Sequence, residues 1–145
     1  MVVNWNIAFD CGEPGKLAEF WALAVGYVPA PPPQGFASWD DWYRHFNVPE
    51  DEIDSGAYLV DPEGVRPKMS FLRVPEGKTA KNRLHIDIPI GGGRHVPIEE
   101  RWPRVLAHVD KLTSAGATVV EQYDHDGQPD HMLMTDPEGN EFCVV

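Results

Sequence analysis

Cysteine is scarce in this sequence: Cys11 and Cys143 are the only two. Two thiols make neither a disulfide framework nor a cysteine-rich metal site, so a reducing cytoplasm is the expected compartment. Basic residues are few as well, 12 Lys and Arg against 23 Asp and Glu, which leaves a formal net charge of −11. No basic stripe could neutralise phosphates, so neither nucleic acid nor an anionic membrane surface is an expected partner. No apolar run approaches the roughly 18–20 residues of a membrane span. The opening segment Met1-Val2-Val3-Asn4-Trp5-Asn6 lacks the basic and apolar regions of a signal peptide. What remains, 42% hydrophobic and 24% charged over 145 residues, is the usual balance of one soluble globular domain. A chain of this length buries about two-thirds of its unfolded surface. Collagen-like, coiled-coil, disulfide-knot and membrane classes are excluded.

Residues 3–10 read as a strand and Cys11 to Gly15 as a turn. Pro14 suits a first helical turn, Leu17, Phe20, Trp21 and Ala24 make an apolar stripe at helical spacing, and Gly26 is the expected cap. Tyr27-Val28 begins a second strand. Across residues 29–56 the six residues Pro29, Pro31, Pro32, Pro33, Gly35 and Pro49 argue against any regular element. Yet Phe36, Trp39, Trp42, Tyr43 and Phe46 are too many rings for a solvated linker, so the loop either packs on the body or walls a pocket. Strands follow at 57–60 and 68–74, with the turn Asp61-Pro62-Glu63-Gly64 between them. A polar connector leads to an alternating strand over 82–88, then to the Gly91-Gly92-Gly93 loop. Pro103 places the start of a second helix near Trp102, with Val105, Val109 and Leu112 inward, Leu106 beside them and Gly116 as cap. Strands are expected at 117–122, 131–135 and 141–145, with a polar turn over 125–130.

The order strand, helix, three strands therefore occurs twice, and Asp-Pro-Glu-Gly stands at the same place in both halves, at 61–64 and 136–139. The expected fold class is α+β: two βαβββ modules, about 1–76 and 82–145, within one domain. Each module covers one sheet face with its helix and leaves the other open. Two open faces set side by side would form one concave cleft, the usual kind of ligand site.

The segments Leu17-Ala18-Glu19-Phe20-Trp21 with Gly26, Lys81 to Asp87, and Thr135-Asp136-Pro137-Glu138-Gly139-Asn140-Glu141-Phe142 resemble the vicinal oxygen chelate superfamily, the glyoxalase/bleomycin-resistance/dioxygenase group, and most closely its glyoxalase-like domain branch. The resemblance spans nearly the whole chain and implies the fold, but it does not imply one reaction, because the superfamily hosts isomerases, dioxygenases, epimerases, thiol transferases and drug binders. Metal-using members take one ligand from each of four strands. The matching positions here are Asn6, Leu72, His85 and Cys143. Leu cannot coordinate and Asn is a poor ligand, so the familiar metal centre is not expected. A small slip in alignment would bring in Asp10 or Glu141, making His85 and Glu141 the pair to consider if a divalent ion binds.

His85 and Asp87 share a strand face by alternation. They are either satisfied structural residues or cleft residues able to move a proton. Asn6 and Asp10 form the equivalent face of the first strand and read as strand-end polar residues or ligand contacts. Trp39, Trp42 and Tyr43 either pack their loop or stack on a planar ligand. Arg73 is an exposed strand arginine or a partner for an anionic ligand group. Cys143 reads as a small buried strand residue, and His125 and His131 as chance histidines beside an acidic turn. The expected function is metal-independent binding of a planar or aromatic small molecule, of which drug sequestration is one form, with no cofactor. The alternatives are a lyase or isomerase acting on a small oxygenated metabolite through His85 and Asp87, and a structural module with a filled cleft. By resemblance, a homodimer is implied.

Overall fold

The computed structural model of the chain describes residues 1–145. The chain divides into two compact units, Met1–Gly77 and Lys78–Val145, each with its own four-stranded mixed sheet. In the first, β1 (Ile7–Cys11) leads into α1 (Pro14–Val25) and β2 (Val28–Pro29), and β3 (Gly56–Val60) and β4 (Met69–Arg73) complete the sheet in the order β1-β4-β3-β2. The second unit runs β5 (Asp87–Ile88), α3 (Ile98–Ser114), β6 (Thr118–His125), β7 (Gln128–Thr135) and β8 (Glu141–Val144), in the order β5-β8-β7-β6. In both units the first strand pairs in parallel with the last, and the remaining pairs are antiparallel. This is the duplicated βαβββ plan that the sequence predicts.

The helical stripes make the cores. Leu17, Phe20, Trp21 and Ala24 are all buried, and Phe9 and Phe71 extend the aromatic cluster, with ring centroids 5.2 Å (Phe9–Trp21) and 5.1 Å (Phe9–Phe71) apart. In the second unit Val105, Val109 and Leu112 of α3 are buried together with Met132, Met134, Phe142 and Val144 of the sheet. Each large apolar side chain moved out of water contributes about 1.5–3 kcal/mol, and these residues bear the stability of their units.

Besides the later bounds of β1, Ile7–Cys11 where a strand over 3–10 is expected, which leaves Asn6 outside it, the sequence reading needs correction in four places. First, the stretch 29–56 holds two regular elements, α2 (Trp39–His45) and a 3-10 helix at Glu50–Ser55. The prolines stand on either side of the 34–48 segment, not within it. Ser38 accepts a cap bond from the Asp41 amide, acidic Asp40 and Asp41 fill the first turn, and Arg44 and His45 fill the last, which suits the helix dipole at both ends. Second, α3 starts at Ile98 and not near Trp102, so Pro103 lies inside the helix. A proline there removes one backbone donor, and the buried side chain of Arg101, bonded to Asp130, anchors the turn before it. Third, the alternating segment 82–88 pairs only at Asp87–Ile88. Its parallel partner β8 begins at Glu141, abreast of His85, which leaves residues before His85 with no strand to pair with. Fourth, β6 and β7 run through most of the expected polar turn and are joined by Asp126 and Gly127 alone. Both have positive φ (52° and 76°), the conformation of a tight hairpin turn.

Gly26 caps α1 in the left-handed region at φ 75°, and its amide bonds Ala22 O at 2.9 Å. Space around its missing Cβ is open, so an alanine there would meet backbone strain and no clash. Gly26→Ala should lower stability by about 1 kcal/mol, and Gly26→Asn by less, in urea denaturation.

Candidate functional site

Two places gather the chemistry-bearing side chains, one in each unit. In the second unit, strand register decides what meets. Asp87 stands beside Cys143, Cys143 beside Leu133, and Leu133 beside Glu121, one row across all four strands. Alternation sends this row to the face opposite the one that buries Met132, Met134, Phe142 and Val144 against α3. A sheet face that need not pack under a helix can hold charge, and this one does.

His85 Nε2 lies 3.4 Å from Asp87 Oδ1, with both side chains about half exposed (50% and 59%). The expected juxtaposition of these two residues therefore exists. Cys143 joins them: one donor atom from each of His85, Asp87 and Cys143 lies within 4.8 Å of the others. Burial pushes the Cys143 thiol up, and the Asp87 carboxylate pushes it further, against a smaller opposing effect of Lys81. The thiol is therefore held neutral and is a poor nucleophile. Imidazole, carboxylate and thiol are together a donor set suited to a borderline-soft divalent ion such as zinc. Bonds of roughly 2.0–2.3 Å would set such donors about 3–4 Å apart, and a bound cation would deprotonate the thiol.

Glu141 stands apart from that cluster. Its carboxylate pairs with Lys78 Nζ at 3.0 Å and accepts the Asn82 amide at 3.1 Å. Burial opposes its charged form, but the Asn82 and Lys78 bonds outweigh this and lower its pKa to about 2. Glu141 thus fastens the chain entering β5.

Sequence reasoning missed the residues on β6 and β7. Tyr123 bonds the carboxylate of Glu121, which raises its phenol pKa. His131 stacks on Tyr123 (centroids 4.9 Å, 10° between planes) and sets Nδ1 3.0 Å from Asp130 Oδ2. Asp130 is buried and held by a two-pronged Arg94 contact, 2.8 Å at each oxygen, and by Arg101 at 3.3 Å. Arg94 first, with His131 and Arg101, holds this carboxyl well below the usual range, against the cost of burial. The missed signal was Asp126-Gly127: once this pair is read as a hairpin turn, both neighbouring segments become strands and His131 falls opposite Tyr123.

In the first unit, α2 folds back toward α1 and borders a solvent-open cavity of about 360 Å³. Trp39, Tyr43 and Tyr58 line it with aromatic atoms, while Ala18 and Ala22 of α1 present small side chains. Trp39 is anchored by an Nε1 bond to Ala30 O at 3.0 Å, and its ring stacks on Tyr58 (5.6 Å, 15°) and Tyr43 (5.9 Å, 29°). Trp42 is not part of this lining and packs on Phe46 at 4.9 Å. The other expected contacts are dispersed. Asn6 borders a separate hollow with Trp5, Arg66 and Lys68. Asp10 is exposed on β1 beside Leu72. Arg73 donates to Asp54 O at 2.9 Å.

Residues 6–145 match the family model described as the glyoxalase-like domain. The chain belongs to the glyoxalase-like domain family. No curated protein matches it. Solved structures similar to this glyoxalase-like protein include a hypothetical protein from S. aureus, at 17% identity, TM-score 0.58, and 99% and 96% coverage of the two chains. A glyoxalase/bleomycin resistance protein/dioxygenase family enzyme from Burkholderia phytofirmans matches at 14% identity and TM-score 0.59, with 96% and 94% coverage. The fosfomycin resistance protein FosX from Listeria monocytogenes, a mutant complexed with Mn(II) and 1S,2S-dihydroxypropylphosphonic acid, matches at 10% identity and TM-score 0.59, with 99% and 90% coverage. At these identities the likeness is one of fold.

The low pKa of Glu141 sets a pH dependence. A carboxylate depressed in the folded state stabilises above its unfolded pKa, and that stability fades as pH falls toward the folded value. Glu141→Gln should cost on the order of 1–2 kcal/mol at pH 7, and the difference from wild type should shrink between about pH 4.5 and 2, as read by denaturant melts across pH.

Proposed function

We propose that this glyoxalase-like protein binds a small planar, largely apolar molecule in the cavity between α1 and α2, without a metal ion. The observation that carries this reading is the pairing of an aromatic wall, Trp39, Tyr43 and Tyr58, with a wall of small residues, Ala18 and Ala22, around about 360 Å³. That volume suits a ligand of one or two fused rings, at the lower end of small-molecule sites. Flat aromatic faces held by their own stacking and by the Trp39–Ala30 bond are preorganised, so little entropy is lost on binding. Sequestration of a drug or metabolite is the activity such a site performs.

A second reading is supported by the His85, Asp87 and Cys143 cluster. Here the protein is an enzyme, a lyase or isomerase acting on a small oxygenated metabolite. A divalent ion held by these three residues would supply Lewis-acid polarisation of a substrate oxygen. Without the ion, His85 oriented by Asp87 would instead be the group that carries a proton to or from the substrate. The Mn(II) bound by FosX is the counterpart that makes this reading worth testing.

The two readings separate in one experiment. Thermal-shift screening against planar aromatic compounds should give hits, and a ligand at 100 times its Kd should stabilise by about 2.7 kcal/mol. Ala22→Trp, which fills the cavity, should abolish the shift. Hits unaffected by Ala22→Trp would move the site elsewhere. For the second reading, zinc or manganese at one ion per chain should raise Tm in the wild type and fail to do so in Cys143→Ser and His85→Ala. That result would overturn metal independence.

A further inference from the structure

We infer that the cavity between α1 and α2 selects planar organic cations, with Glu19 as the residue that determines the preference; the inference rests on the binding reading above. Glu19 is the only charged residue in the lining. It is an exposed residue of α1, on the helix that also supplies Ala18 and Ala22, and it borders the same cavity as the rings of Trp39, Tyr43 and Tyr58. It enters none of the chain's ion pairs: Lys16, the cation nearest in sequence, bonds Glu13 and feels Glu19 only as a weaker, longer-range attraction. Elsewhere on α2, outside the lining, Arg44 is paired with Asp41. No lysine or arginine reaches the lining.

The surrounding field has the same sign. The Tyr43 phenol is raised, by burial first, then by the Tyr58 phenol, and after these by the Asp54 and Asp40 carboxylates. The net charge of −11 extends that bias over the whole chain. Aromatic rings add their own preference, since a cation near a tryptophan or tyrosine ring is attracted by its quadrupole, whereas an anion is repelled. A delocalised cation on a flat ring, such as a quaternised nitrogen heteroaromatic, satisfies every feature at once. Its plane fits between the small-residue wall and the rings, its charge meets Glu19, and it loses little hydration because the charge is spread. A neutral ring of the same outline gains only the burial, and a carboxylated ring meets the Glu19 charge as a repulsion.

The probes are 1-methylquinolinium, quinoline at pH 8 as the neutral counterpart, and 1-naphthoate as the anion, each titrated against tryptophan fluorescence. 1-Methylquinolinium should bind about three- to tenfold more tightly than quinoline, with 1-naphthoate weakest, and its advantage should shrink with added salt. Glu19→Gln should remove most of that advantage, lowering 1-methylquinolinium affinity several-fold more than quinoline affinity. If wild type binds quinoline and 1-methylquinolinium equally, or if Glu19→Gln keeps the advantage, the cation inference falls while the binding reading stands. If none of the three binds, or if Ala22→Trp binds them as well as wild type does, both fall.

Discussion

Two buried aspartates set the geometry on which the rest of this structure depends. Asp61 takes the amides of Glu63, Val65 and Arg66 on its two carboxylate oxygens, at 3.0, 3.2 and 2.9 Å. Asp136 does the same for Glu138 and Asn140, at 2.9 and 3.0 Å, and also holds the Asn140 side chain. Both are nearly inaccessible to water, at 6% and 3% exposure. A buried carboxylate is tolerated only when such donors surround it. Each therefore enforces one turn shape, and that turn sets the register in which the last strand of its unit returns beside the first. A slip of one residue would turn every side chain of β4 or β8 to the other face.

That register is what makes the second unit chemically interesting. It buries Phe142 and Val144 and leaves Cys143 between them on the face of Asp87 and Glu121. The thiol, the imidazole and the carboxylate meet because β5 and β8 run in parallel, with Asp87 abreast of Cys143. The acidic groups of this unit have separate duties. Asp130 is bound into a cationic cage of Arg94 and Arg101, Glu141 is bound to Lys78, and Asp87 alone faces His85. Low pKa values mark the first two as structural carboxylates, not acid–base groups.

The first unit solves a different problem. Its sheet and α1 already build an aromatic core of Phe9, Phe20, Trp21 and Phe71, with Phe9 at its half-buried edge. The aromatic residues between β2 and β3 therefore gather in a second layer. Tyr58 and Tyr43 each stack on Trp39, and Trp42 and Phe46 pack against one another. The small side chains of Ala18 and Ala22 keep this layer from closing fully onto α1, and the space left is the cavity.

Sequence alone determined the elements whose causes are local. The α1 and α3 stripes repeat at 3.6 residues, Gly26 ends a helix because only glycine enters the left-handed region without strain, and the two Asp-Pro-Glu-Gly turns mark a duplication. Local signals also misled: prolines at 29–33 and 49 concealed α2, and alternation over 82–88 promised a long strand where only Asp87–Ile88 finds a partner. Tertiary structure decided which polar groups meet. Nothing in the order of residues said that Glu141 would turn to Lys78, that Cys143 would join His85 and Asp87, or that Trp39 and Tyr43 but not Trp42 would face α1. Those outcomes depend on strand register and on how an excess of rings packs around a filled core, and both are set by contacts between residues far apart in the chain.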